Sequence, residues 1–235
     1  MSNRSAAIFG VFLCIGLAIL GYQLADAAIR VKQFERTVVV KGLSERDYPA
    51  DTVIWPIKFA VASDDMALIY STLERNNGLI KRFLFDNGVQ HNQITISSPA
   101  ITDKLAREYG GDEKGYRFRA SQTITVYSSE VSKIRSLMKP LTDLGKQGIL
   151  FTMNRYGDSA QYVFSRLNEV KPDMIEEATK NAREVAVKFA NDSNSRLGKI
   201  KRASQGNFSI RQRDDNNPHM KRVRVVSTVT YYLAD

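Results

Sequence analysis

Few residues here could be assembled into a reaction. The chain holds two histidines and one cysteine, while catalysis needs a base, nucleophile or metal set held together at a workable pKa. His91 follows the helix-ending pair Asn87-Gly88, and His219 lies in the polar segment RQRDDNNPHM, so both are expected in water. No HExxH, CxxC or paired-histidine spacing occurs, and no Gly-Lys-Ser/Thr phosphate loop; those are the spacings that hold zinc or cradle a phosphate. Asp64-Asp65, Glu176-Glu177 and Asp214-Asp215 are adjacent carboxylates. Neighbours in sequence point apart on a helix or strand, so none of these is a proton-transfer dyad by itself. Gly110-Gly111-Asp112-Glu113 lacks the alternating oxygen ligands of a calcium loop and reads as a hairpin tip. No catalytic, cofactor or metal residue is assigned, and a non-enzymatic protein is expected.

Charge is the stronger chemical signal. Thirty-four Lys and Arg against 25 Asp and Glu give a net +9, and the excess gathers late. Between Arg196 and Arg224 stand nine basic residues against Asp214 and Asp215. Such a cluster suits anionic lipid or another polyanion, with Arg211, Arg213, Lys221 and Arg222 as the contacts; the plainer reading is the solvated face of a sheet.

The stretch that must place these residues is Ala6 to Ala25, AAIFGVFLCIGLAILGYQLA. It is uncharged and reaches the roughly 20 residues that cross a bilayer core. Its ten strongly apolar residues are worth about −3 to −6 kcal/mol for insertion before the cost of Gly and Gln. A cleaved secretory signal is the rival reading, since Arg4 precedes the stretch and Ala25-Asp26-Ala27 fits a small-x-small site; the uncharged run is longer than an ordinary signal core. Lys and Arg counted at the two ends favour a cytoplasmic C-terminal side, but the short positive tail and the absence of cysteine after Cys14 favour export. The expectation is a single-pass membrane protein with its C-terminal domain exported, where nucleic acid is no partner. Ala6, Gly10, Cys14 and Ala18 recur every fourth residue, a face along which membrane helices approach closely. The expected divisions are a tail at 1–5, a signal anchor at 6–28, a linker at 29–36 and one exported domain at 37–235.

Downstream, hairpins alternate with helices. Thr37 to Lys41 reads as a strand closed by Gly42, followed by a loop to Asp51. Val53, Trp55, Ile57, Phe59 and Val61 alternate on one strand face, Trp55 as a core residue, and Pro56 implies an edge or a bulge. Ser63-Asp64-Asp65 opens a helix to about Phe85. Strands are expected at 93–101 and 115–127 around a polar connection, then a helix after Ser128-Ser129-Glu130 and strands at 149–154 and 160–170. Pro172 begins a third helix whose buried stripe is Ile175, Ala178, Ala182, Val185 and Phe189. Strands at 199–207 and 222–233 close the chain. This order predicts an α+β fold, mostly antiparallel, with three helices packed on the sheets.

Val38-Val39-Val40-Lys41-Gly42, the strand after Ala50-Asp51, the Tyr116–Tyr127 strand, Ala178-x3-Ala182-Arg183-x2-Ala186-x2-Phe189-Ala190, Leu197-Gly198-Lys199-Ile200 and the final alternation Val223, Val225, Ser227, Val229, Tyr231 occur in that order. In these motifs residues 36–235 resemble SIMPL-domain proteins. The resemblance implies an exported bacterial envelope protein, held in the inner membrane with its C-terminal domain in the periplasm and similar to the periplasmic immunogenic antigens of that family, some of which form ring- or cage-like homo-oligomers with a central cavity. It carries over no catalytic residue. The chain departs from simple members in its N-terminal membrane segment and in its polar, basic loop from Gln205 to Lys221. The expected role is scaffolding or enclosing at the membrane, through self-association and the bilayer contact of residues 6–25. The alternative is a periplasmic module that binds anionic lipid, another polyanion or another envelope protein.

Overall fold

The computed structural model describes residues 3–34, 36–106, 115–152 and 160–234, with side chains at 10, 12–27 and, in the later segments, from 36 onward. It is an α+β protein with antiparallel sheets and, among the described residues, four α-helices: α1 (Asn3–Phe34), α2 (Met66–Asp86), α3 (Val131–Leu141) and α4 (Leu167–Asp192). The ten strands among the described residues are β1 (Thr37–Pro49), β2 (Thr52–Ser63), β3 (Ile94–Ile96), β4 (Ala100–Asp103), β5 (Phe118–Ser128), β6 (Leu150–Phe151), β7 (Gln161–Val163), β8 (Arg196–Gln205), β9 (Ser209–Gln212) and β10 (Met220–Ala234). The stretch expected as one domain divides into two compact units. The first holds residues up to Arg46, Asn168–Ser209 and Val223 onward; the second holds Asp47–Leu167 and Ile210–Arg222.

The second unit is built on β2 and β5, which pair antiparallel from Val53↔Ser128 to Ser63↔Phe118. β3 and β4 line the far side of β5, and β6 and β7 the far side of β2. Alternation along β2 buries Val53, Trp55, Ile57 and Phe59 against α2 and α3, which contribute Ile69, Leu73, Ile80, Leu84, Ile134 and Leu137. Asp65 caps α2 by accepting from the Ala67 amide, and Asn87 with the left-handed Gly88 ends it. Pro56 does not put β2 at an edge. It lies inside the sheet, opposite Thr125 on β5, and the other neighbour is split: β7 pairs residues 52–54 and β6 pairs 59–60. A residue without an amide proton is tolerated where the ladder is interrupted. The turn expected at 156–159 and the tip at Gly110–Glu113 lie outside the described residues.

The first unit sets α4 on the sheet β1-β10-β8. β1 runs on through Pro49, where a loop was expected. Its helix-side positions after Val40 are Gly42 and Ser44, too small and polar to show hydrophobic alternation, and its outward side carries charge. Within this unit Arg224 on β10 pairs with Glu45 on the neighbouring strand β1. α4 begins at Leu167, earlier than Pro172 suggests, and ends the expected 160–170 strand at Val163. Its buried ridge is Met174, Ala178, Ala182, Ala186 and Ala190, whereas Val185 is 38 % and Phe189 56 % exposed. The reason is Gly42: a Cβ there would overlap the Ala178 carbonyl and the Ala182 amide. Backbone-to-backbone approach selects the alanine ridge over the bulkier residues on the flank.

α1 is one continuous helix through Phe34, so residues 29–34, expected as linker, are helical. Among the described residues no helix is long and apolar enough to cross a membrane, so the transmembrane helix expected at 6–28 is not among the elements described. The side chains of residues 6–9 and 11, where the expected span begins, lie outside the described residues.

Candidate functional site

Three of the four cations expected to contact polyanions are paired or buried. In the second unit, Arg222 donates to both oxygens of Asp47 (2.9 and 3.2 Å), and Arg213 donates to Asp214 at 2.7 Å. Lys221 is 7 % exposed, and burial pushes its ammonium below the usual lysine range. Of the four expected contacts only Arg211 is both exposed and without a described partner. The Arg222 hydrogen bond holds the Asp47 carboxyl down, and Arg213 with Asn217 does the same for Asp214.

His219 is not the solvated side chain that its polar sequence suggests. Its ring meets Tyr162 edge-on at 6.1 Å, and its Nδ1 is buried with no partner among the described residues. Burial lowers its pKa, and the charges of Arg135 and Arg213 lower it further against the opposing Asp214. These influences push the ring toward its neutral form, yet no nucleophile is hydrogen-bonded to it among the described residues. His91 is exposed and packs on Phe85. Among the described residues no group of three or more His, Cys, Asp or Glu is placed to hold a metal ion.

The adjacent carboxylates do point apart. Glu177 accepts from Ser44 Oγ and from Arg46 Nε, both at 2.9 Å, contacts that depress its pKa. Glu176 turns to the opposite flank of α4, where it lines a groove of about 640 Å³ with Thr179, Lys180, Arg183, Gly198, Lys199, Ile200 and Tyr231. Lys180, Arg183 and Lys199 have no ion-pair partner among the described residues. The helix members are spaced i, i+3, i+4 and i+7, one flank of a helix. The motif Leu197-Gly198-Lys199-Ile200 contributes the floor, and Gly198 fits because a Cβ there would stand 2.9 Å from the Tyr232 carbonyl oxygen. Only Lys199 belongs to the late basic cluster. Lys180 and Arg183 stand four and seven residues after Glu176, a helical spacing on the flank beside the buried ridge.

On α1, Gly10, Cys14 and Ala18 are exposed; the side chain of Ala6 lies outside the described residues. The larger residues at the other positions, Phe12, Leu13, Ile15, Leu17, Ile19, Leu20 and Leu24, are at least half exposed as well.

The architecture defines a class: an antiparallel α+β protein in which an alanine-ridged helix lies against a glycine-bearing strand. Residues 38–230 match SIMPL, described as a protein of unknown function (DUF541), and the chain belongs to that family. No curated protein matches it.

Proposed function

We propose that this SIMPL-family chain is a non-enzymatic, membrane-anchored envelope protein whose exported part assembles into a ring- or cage-like homo-oligomer, with a scaffolding or enclosing role. The observation that carries this reading is α1: a helix 32 residues long that is apolar on every side and uncovered from Phe12 to Leu20. A helix hydrophobic all round is stable only when lipid or other protein surrounds it. The face of Gly10, Cys14 and Ala18 is where neighbouring anchors would touch.

Two features of the first unit support assembly. β1 and β8 are the outer strands of the order β1-β10-β8, and β8 is exposed along most of its length. An uncovered strand edge is a template for pairing. β8 also carries Arg196, Lys199, Lys201 and Arg202, so a two-fold β8–β8 contact would bring eight cations together. Repulsion leaves the heterologous contact, one edge against a different edge of the next copy, and that is the kind that closes rings.

Proteolysis in spheroplasts tests anchor and export together. The expected result is digestion of the C-terminal part by added protease while a membrane-bound N-terminal fragment survives. Protection until the inner membrane is broken would sink the export reading. The alternative, a periplasmic module binding anionic lipid or another polyanion through residues 196–224, loses Arg213, Lys221 and Arg222 to ion pairing and burial.

A further inference from the structure

The groove on the β8 side of α4 has the makings of a ligand site. Its size, about 640 Å³, is in the range of small-molecule pockets, roughly 300–1,000 Å³. Lys180, Arg183 and Lys199 outnumber Glu176 around it, and these cations meet no described carboxylate. Cations left unpaired around one concavity favour an anion, and a guanidinium matches phosphate or carboxylate oxygens two at a time. The floor is different in kind. Tyr231 closes it, and Ile200, at 50 % exposure, presents apolar surface that α4 does not cover.

We propose that this groove binds an amphiphilic anion, a phosphate or carboxylate head on an apolar chain. The head lies among Arg183, Lys180 and Lys199, and the chain lies over Ile200 and Tyr231. Glu176, at the same wall, disfavours a second negative group and suits a hydroxyl on the ligand. The site is contained in the first unit and depends on neither the anchor nor the assembly. A membrane-lipid headgroup and a free amphiphile share this chemistry.

Calorimetry on the full-length chain in a neutral detergent, with hexyl phosphate as probe and a detergent blank, tests it. Saturable binding of one hexyl phosphate per chain is expected, at least tenfold tighter than inorganic phosphate. Arg183→Glu with Lys199→Glu should weaken it at least tenfold, and Ile200→Asp should weaken hexyl phosphate while leaving inorganic phosphate unchanged. Arg82→Glu, an exposed charge on α2 in the other unit, should have no effect. All three groove positions are exposed, so the variants should keep the wild-type circular dichroism; if the double variant does not, Lys180→Gln gives the same comparison. Vesicles containing phosphatidylglycerol that displace the probe assign a lipid headgroup, and a probe retained against them assigns a soluble amphiphile. Absence of saturable binding, equal affinity in the charge-reversed variant, or inorganic phosphate binding as tightly as the hexyl ester would overturn the proposal.

Discussion

Gly42 is the residue on which the first unit depends most. It lets α4 touch β1 backbone to backbone, and a methyl group there would have to displace the helix at Ala178 and Ala182. Overpacking of this kind costs about 1–3 kcal/mol, sometimes more. Gly42→Ala is therefore expected to lower the thermal midpoint by several degrees, read by circular dichroism, whereas Gly78→Ala, with open space around it, should raise it slightly because alanine is the better helix former. His219 sets a pH dependence. Its folded pKa is lowered by burial and by the neighbouring arginines, so the unfolded chain takes up the proton first as pH falls below about 6.5. Stability is then full above that pH and declines as it falls through the window down to the folded value. Melts between pH 7.5 and 5 should show this decline, and His219→Gln should flatten it. A second decline is expected below about pH 4. There Asp47, Asp214 and Glu177, held ionised by Arg222, by Arg213 and by Ser44 with Arg46, must take up protons the unfolded chain has already bound.

At the scale of elements, α4 has three functional sides. The alanine ridge packs on the sheet, Glu177 and Asn181 bond to β1 through Ser44, Arg46 and the Leu43 carbonyl, and Glu176, Lys180 and Arg183 wall the groove. Val185 and Phe189 are exposed, so they are available to a second copy. Val185→Glu with Phe189→Glu should leave the thermal midpoint nearly unchanged, since exposed substitutions stay within about 0.5 kcal/mol, while reducing the apparent size of the extracted complex by gel filtration. An unchanged size would remove this flank from the interface. The sequence made α2, α3, β2 and β5 legible because their buried residues are large and periodic: Ile69, Leu73, Ile80 and Leu84 at helical spacing, Val53, Trp55, Ile57 and Phe59 at spacing two. The second half of β1 was illegible because Gly42 and Ser44 stand where hydrophobic residues would mark a strand. The stripe of α4 was misread for the related reason that its partner is a bare glycine backbone, which favours alanine over valine or phenylalanine. The groove was missed because its cations come from two distant segments, 176–183 and 198–200, and only packing brings them together.

For the whole molecule, the family is shown, and the proposed role rests on what α1 and the strand edges do when many copies meet. In the proposed assembly, α1, uncovered from Phe12 to Leu20, and a cationic edge strand that discourages two-fold pairing would leave a closed ring of subunits with their N-terminal helices gathered beneath it. Light scattering on the detergent-extracted full-length chain measures this most directly. Assembly predicts one species whose protein mass, corrected for detergent, is an integral multiple of 26.5 kDa, several-fold or more, and unchanged on dilution through the micromolar range. A monodisperse monomer at micromolar concentration would contradict it.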